Sequence, residues 1–149
     1  ELGFTRRDLL TLASIVEKEA AVAEERPIIA SVFLNRLRDP DYPYLQSDPT
    51  SMYGCRVLGD AVAACRDWNG RASGAINRDR DNVFSTYVTQ GLPPGPVANP
   101  SAAAIEAVLS PAETPYRFFV ARGKGRHTFS ASYEDHLAAV RRLRELRNR

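Results

Sequence analysis

The chain has 149 residues, 44% of them hydrophobic, which suits one globular domain whose core buries about 70% of the surface of the unfolded chain. No run of roughly 18 apolar residues occurs, so no segment is typical of a membrane-spanning helix. The formal net charge of +2 does not by itself indicate a nucleic-acid partner. The chain begins at Glu1 and its single methionine is Met52, which favours a piece of a longer protein with any anchor or export signal upstream.

The first predicted element is a helix that begins after Thr5. Thr5 and Asp8 have the spacing of a capping box, and an acidic residue in the first turn suits the helix dipole. Glu17 and Glu19 fall on opposite edges of the apolar stripe of this helix. The stripe consists of Leu9, Leu12, Ala13, Val16 and Ala20.

These two glutamates point to acid-base chemistry. A carboxyl group that is partly withdrawn from water has its acid form favoured, and this is how a protein obtains a proton donor that works near neutral pH. Helical periodicity alone does not choose between Glu17 and Glu19.

A second helix is predicted from residue 24 to residue 37, with Pro27 tolerated in its first turn. We expect it to pack against the first helix as a helical hairpin. The proline-rich stretch at 39–43 ends this pattern, and Ser47 precedes a short helix predicted at 49–53.

The middle of the chain is less regular. Residues 54–82 are polar without a sustained period, and we expect an irregular segment with at most one short helix, at 61–65. Residues 83–89 have an alternating pattern that is rich in β-forming side chains, which predicts a strand. The prolines in 91–96 predict an ordered loop there.

Three elements are predicted in the last third of the chain. Asn99, Pro100 and Ser101 cap a helix that runs to about Leu109. Residues 116–121 and 127–130 form a β-hairpin, and 132–147 form a closing helix whose arginines are its solvated face.

Cys55 and Cys65 are the only cysteines in the chain. Their spacing matches no zinc signature, since no second pair of cysteine or histidine residues accompanies them. The residues alone leave open a disulfide or two free thiols.

Short segments that keep one order along the chain resemble the catalytic domain of the endolytic murein transglycosylases, the YceG-like family of bacterial cell-wall enzymes. They cover nearly the whole chain apart from the irregular middle segment. They are residues 10–19, 32–37, 45–50, 86–87, 91–96, 99–100, 118–120 and 127–129.

The resemblance implies that Glu17, which directly follows Ile15 and Val16, is the catalytic acid. Such an enzyme cleaves the β-1,4 bond between N-acetylmuramic acid and N-acetylglucosamine. One carboxyl group protonates the glycosidic oxygen and then takes the proton of the muramyl 6-hydroxyl group, which leaves a 1,6-anhydromuramyl end. No cofactor or metal ion is implied.

The implied fold is α+β, with the helical hairpin plus a small mixed or antiparallel sheet forming a substrate groove. Polar residues from two segments are the candidates for substrate binding: Gln46, Ser47, Asp48, Thr50, Thr86 and Tyr87. Asn35 and Arg36 are expected to tie the second helix to a loop, and His127 to be a hydrogen-bonded structural residue.

The chain departs from the family's pattern at two positions. Ser85 stands where the family typically has asparagine, which affects any polar role of that asparagine in the groove. Ser101 stands where the family typically has glycine, and we expect this change to affect only a turn.

The resemblance further implies one catalytic domain over residues 1–149 of a longer, membrane-anchored protein. It would act at the inner membrane, facing the periplasm, on peptidoglycan glycan strands and close to the peptidoglycan polymerases, with no nucleic-acid partner. An extracytoplasmic location also favours a disulfide between Cys55 and Cys65.

Two other functions compete with this one. A non-catalytic peptidoglycan-binding or scaffold module of the cell-wall synthesis machinery is conceivable because of Ser85, although the presence of Glu17 argues against it. A pyridoxal-phosphate enzyme needs a lysine in a phosphate-binding pocket, and Lys18 and Lys124 are the only lysines.

Overall fold

The computed structural model describes residues 2–149 and has an α+β fold. The two strands are β1 (Phe118–Gly123) and β2 (Arg126–Ser130), and single-turn 3₁₀ helices lie at Ala23–Glu25, Gly59–Ala61 and Ala63–Cys65. The helices are α1 (Arg6–Glu19), α2 (Arg26–Leu37), α3 (Asp48–Leu58), α4 (Gly74–Arg78), α5 (Ala102–Leu109) and α6 (Tyr133–Arg147).

Helix α1 begins where the capping box predicts. The Thr5 side chain accepts a hydrogen bond from the Asp8 backbone N–H at 3.1 Å, and the Thr5 backbone N–H donates to Asp8 Oδ2 at 2.9 Å. Two backbone donors at the helix start are therefore satisfied by local residues.

The main core lies between α1, α2 and α5. The α1 stripe packs against α2, as the predicted hairpin requires, and also against the face of α5. The most deeply buried side chains of this core are Leu12, Ile15, Val16, Ile29 and Phe33. Because the last turns of α1 are held on two sides, the positions of Glu17 and Glu19 are fixed by the core.

Two helix boundaries differ from the predictions. Helix α2 begins at Arg26 because a 3₁₀ turn occupies Ala23–Glu25. Helix α3 continues to Leu58 and ends at Gly59, whose φ of 53° favours glycine. Inside α3, Gly54 leaves the space in which the Asn82 side chain packs against the helix.

The irregular middle segment has a small core of its own. Val62 and Ile76 pack with Cys55 and Cys65, which form a disulfide with a Cα–Cα distance of 5.1 Å. The disulfide favoured by the resemblance is therefore present. The segment holds α4 and two 3₁₀ turns, which is more helix than the sequence predicts.

The strand predicted at 83–89 is wrong. The N–H groups of Val88 and Thr89 both donate to the carbonyl of Ser85, so the backbone turns there. Ser85 and Thr86 are fully buried in this turn, whereas Val83 is exposed.

The predicted C-terminal elements are confirmed, although β1 begins and ends two residues later than predicted. Strands β1 and β2 form an antiparallel hairpin with Phe119 opposite Phe129. Ser101 and Ser132 are the N-caps of α5 and α6, and each side chain accepts a hydrogen bond from the backbone three residues on. In residues 2–149, no helix combines the length and apolar composition needed to cross a membrane.

Candidate active site

A cavity of about 280 Å³ lies between the C-terminal end of α1, α2, the start of α3 and the β-hairpin. We call it the Glu19 cavity. Its polar lining consists of Glu19, Arg36, Gln46, Asp48, Tyr87, Arg117, Tyr133 and His136. Its apolar lining consists of Val32, Phe33, Leu45, Phe118 and Phe119. The wall thus combines aromatic surface with a few convergent polar groups, which is typical of a ligand site.

Glu19 is half-buried at this cavity and has a raised pKa. Desolvation is the main cause, and the negative charge of Asp48 adds to it. Two groups oppose the increase: the Ser47 hydroxyl, which donates to Glu19 Oε1 at 2.7 Å, and the charge of His127. Glu19 is therefore a carboxyl group whose acid form is favoured inside a cavity.

Glu17 has the opposite environment, and it does not line the Glu19 cavity. Its Oε2 accepts hydrogen bonds from the Ser101 hydroxyl at 2.7 Å and from the Ser101 N–H at 3.2 Å. These bonds lower the pKa of Glu17. The carboxylate therefore serves as a cap at the start of α5, and the departure at Ser101 supplies the shorter of its two hydrogen bonds.

Three of the six predicted substrate-binding residues line the Glu19 cavity: Gln46, Asp48 and Tyr87. Asp48 Oδ1 accepts hydrogen bonds from the Tyr87 hydroxyl at 2.7 Å and from Asn77 Nδ2 at 3.0 Å. Burial, followed by the contact with Asp48, raises the pKa of Tyr87, so its hydroxyl remains a donor at neutral pH.

The other three predicted residues, Ser47, Thr50 and Thr86, are buried behind the cavity wall. The Ser47 N–H donates to Thr86 Oγ1 at 2.9 Å, and the hydroxyls of Thr50 and Thr86 lie 2.9 Å apart. The Gln46 N–H donates to the Thr86 carbonyl at 3.1 Å, and Gln46 has a φ of 55°. These contacts fix the loop that carries Gln46 and Asp48.

The departure at Ser85 also lies away from the cavity lining. Its fully buried hydroxyl donates to the Asn77 carbonyl at 2.7 Å and accepts from Ser51 at 3.0 Å. Ser85 therefore joins α3 and α4 beneath the residues that face the cavity.

One buried pair beside the cavity has no signal in the sequence. His127 Nδ1 lies 2.7 Å from Glu25 Oε2, and the His127 N–H donates to Glu25 Oε1 at 3.0 Å. The His127 ring also contacts Phe119, a cavity residue, edge to face at 5.2 Å between ring centroids. His127 is thus hydrogen-bonded as predicted, but its partner lies 102 positions away.

Across residues 2–149, no group of three or more histidine, cysteine, aspartate and glutamate side chains could hold a metal ion.

Comparison with known proteins defines the class of this fold and site. A model described as the YceG-like family matches residues 1–142, so the chain belongs to that family. A crystal structure of a YceG-like protein from Listeria monocytogenes superimposes with a TM-score of 0.71 at 35% identity. The match covers 89% of this chain and 38% of the other.

Two curated relatives carry a more specific name. An endolytic murein transglycosylase of Streptococcus pneumoniae is 38% identical over 135 residues, which are 90% of this chain and 23% of the relative. One from Bacillus subtilis is 37% identical over 128 residues, which are 86% of this chain and 32% of the relative. The chain therefore spans about a quarter to a third of the length of these relatives.

Proposed function

We propose that this chain is the catalytic domain of a lytic transglycosylase that cleaves peptidoglycan glycan strands. The bond broken is the β-1,4 linkage between N-acetylmuramic acid and N-acetylglucosamine. The relatives named endolytic murein transglycosylase support this substrate. The observation that carries the proposal is the carboxyl group of Glu19, which has a raised pKa and faces a cavity.

Of the two glutamates, we propose Glu19 as the proton donor. The resemblance pointed to Glu17, and that assignment stays a prediction for experiment to decide. The geometry favours Glu19, because a general acid must be protonated before the reaction and must reach the bond that breaks. Glu17 has a lowered pKa and gives one oxygen to two donors of Ser101.

The reaction then needs one carboxyl group. Glu19 donates its proton to the glycosidic oxygen while the bond from the muramyl C1 to that oxygen breaks. The carboxylate left behind takes the proton of the muramyl 6-hydroxyl group, whose oxygen bonds to C1. Atoms and charge balance, the product carries a 1,6-anhydro ring, and no activated water is required, in contrast to hydrolysis by two carboxyl groups.

The neighbours of Glu19 have roles in this scheme. The Ser47 hydroxyl holds Glu19 Oε1, which leaves Oε2 for proton transfer. The carboxylate of Asp48 lines the same cavity and can stabilise positive charge that develops on the sugar ring. We propose that Gln46 and Tyr87 contact the sugars, while Thr50 and Thr86 hold the loop in place.

The non-catalytic scaffold alternative is not favoured by any contact. That alternative was based on the serine at position 85, and Ser85 is buried away from the cavity lining.

We further propose that the whole protein acts in the cell envelope, anchored in the inner membrane by a segment outside this chain, facing the periplasm and near the peptidoglycan polymerases. Membrane fractionation of cells that express the full-length protein tests this location.

Digestion of purified sacculi tests the function. We expect the protein to release muropeptides with 1,6-anhydromuramyl ends, identified by mass spectrometry. Release of reducing muramyl ends would instead make it a hydrolase. Release of nothing, under conditions in which another lytic enzyme digests the same sacculi, would refute the enzyme assignment.

A further inference from the structure

Arg36, on α2, is a buried cation, since its residue is only 7% exposed. Its Nε donates to the Arg117 carbonyl at 2.6 Å, and its Nη1 donates to the Tyr44 carbonyl at 2.8 Å. These bonds are the tie between helix and loop that the sequence predicted. They use two of the three guanidinium nitrogens, and Nη2 makes no hydrogen bond within residues 2–149.

The charge of Arg36 is also without an ion-pair partner in the described part of the chain. The ion pairs there are Arg117 with Asp39 at 3.0 Å and His127 with Glu25 at 2.7 Å. Asp39, the acid closest to Arg36 in sequence, is therefore already paired. A guanidinium stays charged at every physiological pH, and a buried charge without a counterion is costly.

Aromatic rings hold the Arg36 guanidinium in place. Its Cζ lies 5.5 Å from the centroid of the Tyr42 ring and 5.0 Å from that of Phe118. Such contacts stabilise a cation and fix its orientation, but they supply no negative charge. The two carbonyls and the rings fix the position of the guanidinium, and Nη2 is left available to a ligand.

Arg36 lies at the junction of two cavities. It lines the Glu19 cavity and an adjoining cavity of about 450 Å³. The second cavity also shares Gln46, Phe118 and Tyr133 with the first and is otherwise lined by Asp41, Tyr42, Pro43 and Tyr44. An anion that approaches the proposed proton donor from this side would meet Nη2 of Arg36.

We propose that Arg36 forms a subsite for a carboxylate of the peptide stem carried by a muramyl unit of the glycan strand. The identity of this ligand rests on the proposed function. The sugar rings of the strand bear hydroxyl and acetamido groups, so its negative charges are the carboxyl groups attached to muramic acid. Nη2, the guanidinium nitrogen without a hydrogen bond, can donate a charge-assisted hydrogen bond to a carboxylate oxygen, and aromatic walls that exclude water strengthen such a bond.

The test is a binding measurement that requires no catalysis. The probe is the disaccharide N-acetylglucosaminyl-N-acetylmuramic acid with its peptide stem, which lacks the bond that the enzyme would cleave. Its affinity, measured by calorimetric titration, is compared with that of the same compound after its carboxyl groups are converted to amides. We expect the wild type to bind the acid form at least about tenfold more tightly.

Variants assign this preference to the guanidinium. Arg36→Gln should bind the acid form about tenfold more weakly than the wild type and the amide form equally well. Arg38→Gln, at the residue that directly follows α2, is the matched control, because Arg38 is exposed and lines neither cavity. It should leave both affinities unchanged.

Several outcomes would overturn the proposal. These are equal binding of both forms by the wild type, no binding of the acid form at millimolar concentration, or an equal loss on both forms in Arg36→Gln. Equal affinity for a disaccharide without the peptide would assign the site to the lactyl carboxylate instead. The wild-type comparison stands even if Arg36→Gln fails to fold, and sacculus digestion reports on the activity separately.

Discussion

Glu17 and Glu19 lie two positions apart on one helix, yet the protein gives them opposite properties. Glu17 meets two hydrogen-bond donors of Ser101 and has a lowered pKa, whereas Glu19 loses water at a cavity and has a raised pKa. The charged form is favoured on one edge of α1 and the acid form on the other. The difference shows that the partner elements, not the position in the helix, decide which carboxyl group can donate a proton.

The largest expected effect is a difference between two matched variants. Glu19→Gln should reduce the release of anhydromuropeptides from sacculi by about 10²- to 10⁴-fold, the usual contribution of a general acid. Glu17→Gln should reduce it by less than roughly tenfold, because it weakens a helix cap worth about 1 kcal/mol. The reverse order of the two variants would restore Glu17 as the proton donor.

The second effect concerns pH. Because Glu19 must be protonated, activity should be highest below its raised pKa and fall about tenfold per pH unit above it. Asp48→Asn removes a negative charge that raises this pKa, so the falling limb should move to lower pH. Initial rates across pH for the wild type, Asp48→Asn and Glu17→Gln measure this. A limb that moves in Glu17→Gln but not in Asp48→Asn would contradict the assignment.

The third prediction concerns the disulfide, which supports α3 on the Glu19 side of α1. The disulfide joins Cys55 of α3 to Cys65, and α3 begins with Asp48 on the Glu19 side. Replacing both cysteines by serine should lower the free energy of unfolding by about 2 to 3 kcal/mol, because a loop in the unfolded chain is no longer closed. Urea unfolding with and without reductant checks this value. The free energy of unfolding of the double serine variant should not change when reductant is added.

The fourth prediction is that Glu17→Gln and Glu19→Gln change the free energy of unfolding in opposite directions. A lowered folded pKa contributes stability above the ordinary glutamate pKa, and this stability is lost as pH falls through the folded value; a raised folded pKa does the reverse. At pH 7, Glu17→Gln should therefore lower the free energy of unfolding, and Glu19→Gln should raise it, each by roughly 1 kcal/mol. Both differences should shrink toward pH 3. If the melting temperatures of both variants shifted in the same direction at pH 7, the opposite pKa shifts of Glu17 and Glu19 would be contradicted.

An element of this fold could be predicted from the sequence where the residues that stabilise it lie close together in the chain. The start of α1 was predictable, because Thr5 and Asp8 are three positions apart and satisfy each other. The strand predicted at 83–89 failed, because Thr86 Oγ1 accepts a hydrogen bond from the Ser47 N–H and the Thr86 N–H donates to Thr50 Oγ1, and both partners lie almost forty positions earlier. An alternating, β-rich composition alone therefore does not define a strand.

The two glutamates show the same limit at the site. Periodicity located both on the edges of the apolar stripe of α1, which is a local property. The hydrogen bond that holds Glu19 comes from Ser47, 28 positions away, and that of Glu17 comes from Ser101, 84 positions away. The Arg36 junction was likewise foreseen only as a tie between helix and loop, since the second cavity requires the hairpin to be in place.

The smallest expected effect concerns Ser101, where the family resembled by this chain typically has glycine. Ser101→Gly removes the hydroxyl that donates to Glu17 Oε2 but keeps the backbone N–H donor at 3.2 Å. Glycine is a tolerable N-cap, so the free energy of unfolding should fall by only about 0.5 kcal/mol. The pKa of Glu17, measured by NMR titration, should rise and yet remain below that of Glu19, because Glu17 gains no cavity burial. A Glu17 pKa above that of Glu19 in this variant would mean that the serine alone, and not the packing of the two edges of α1, separates the two carboxyl groups.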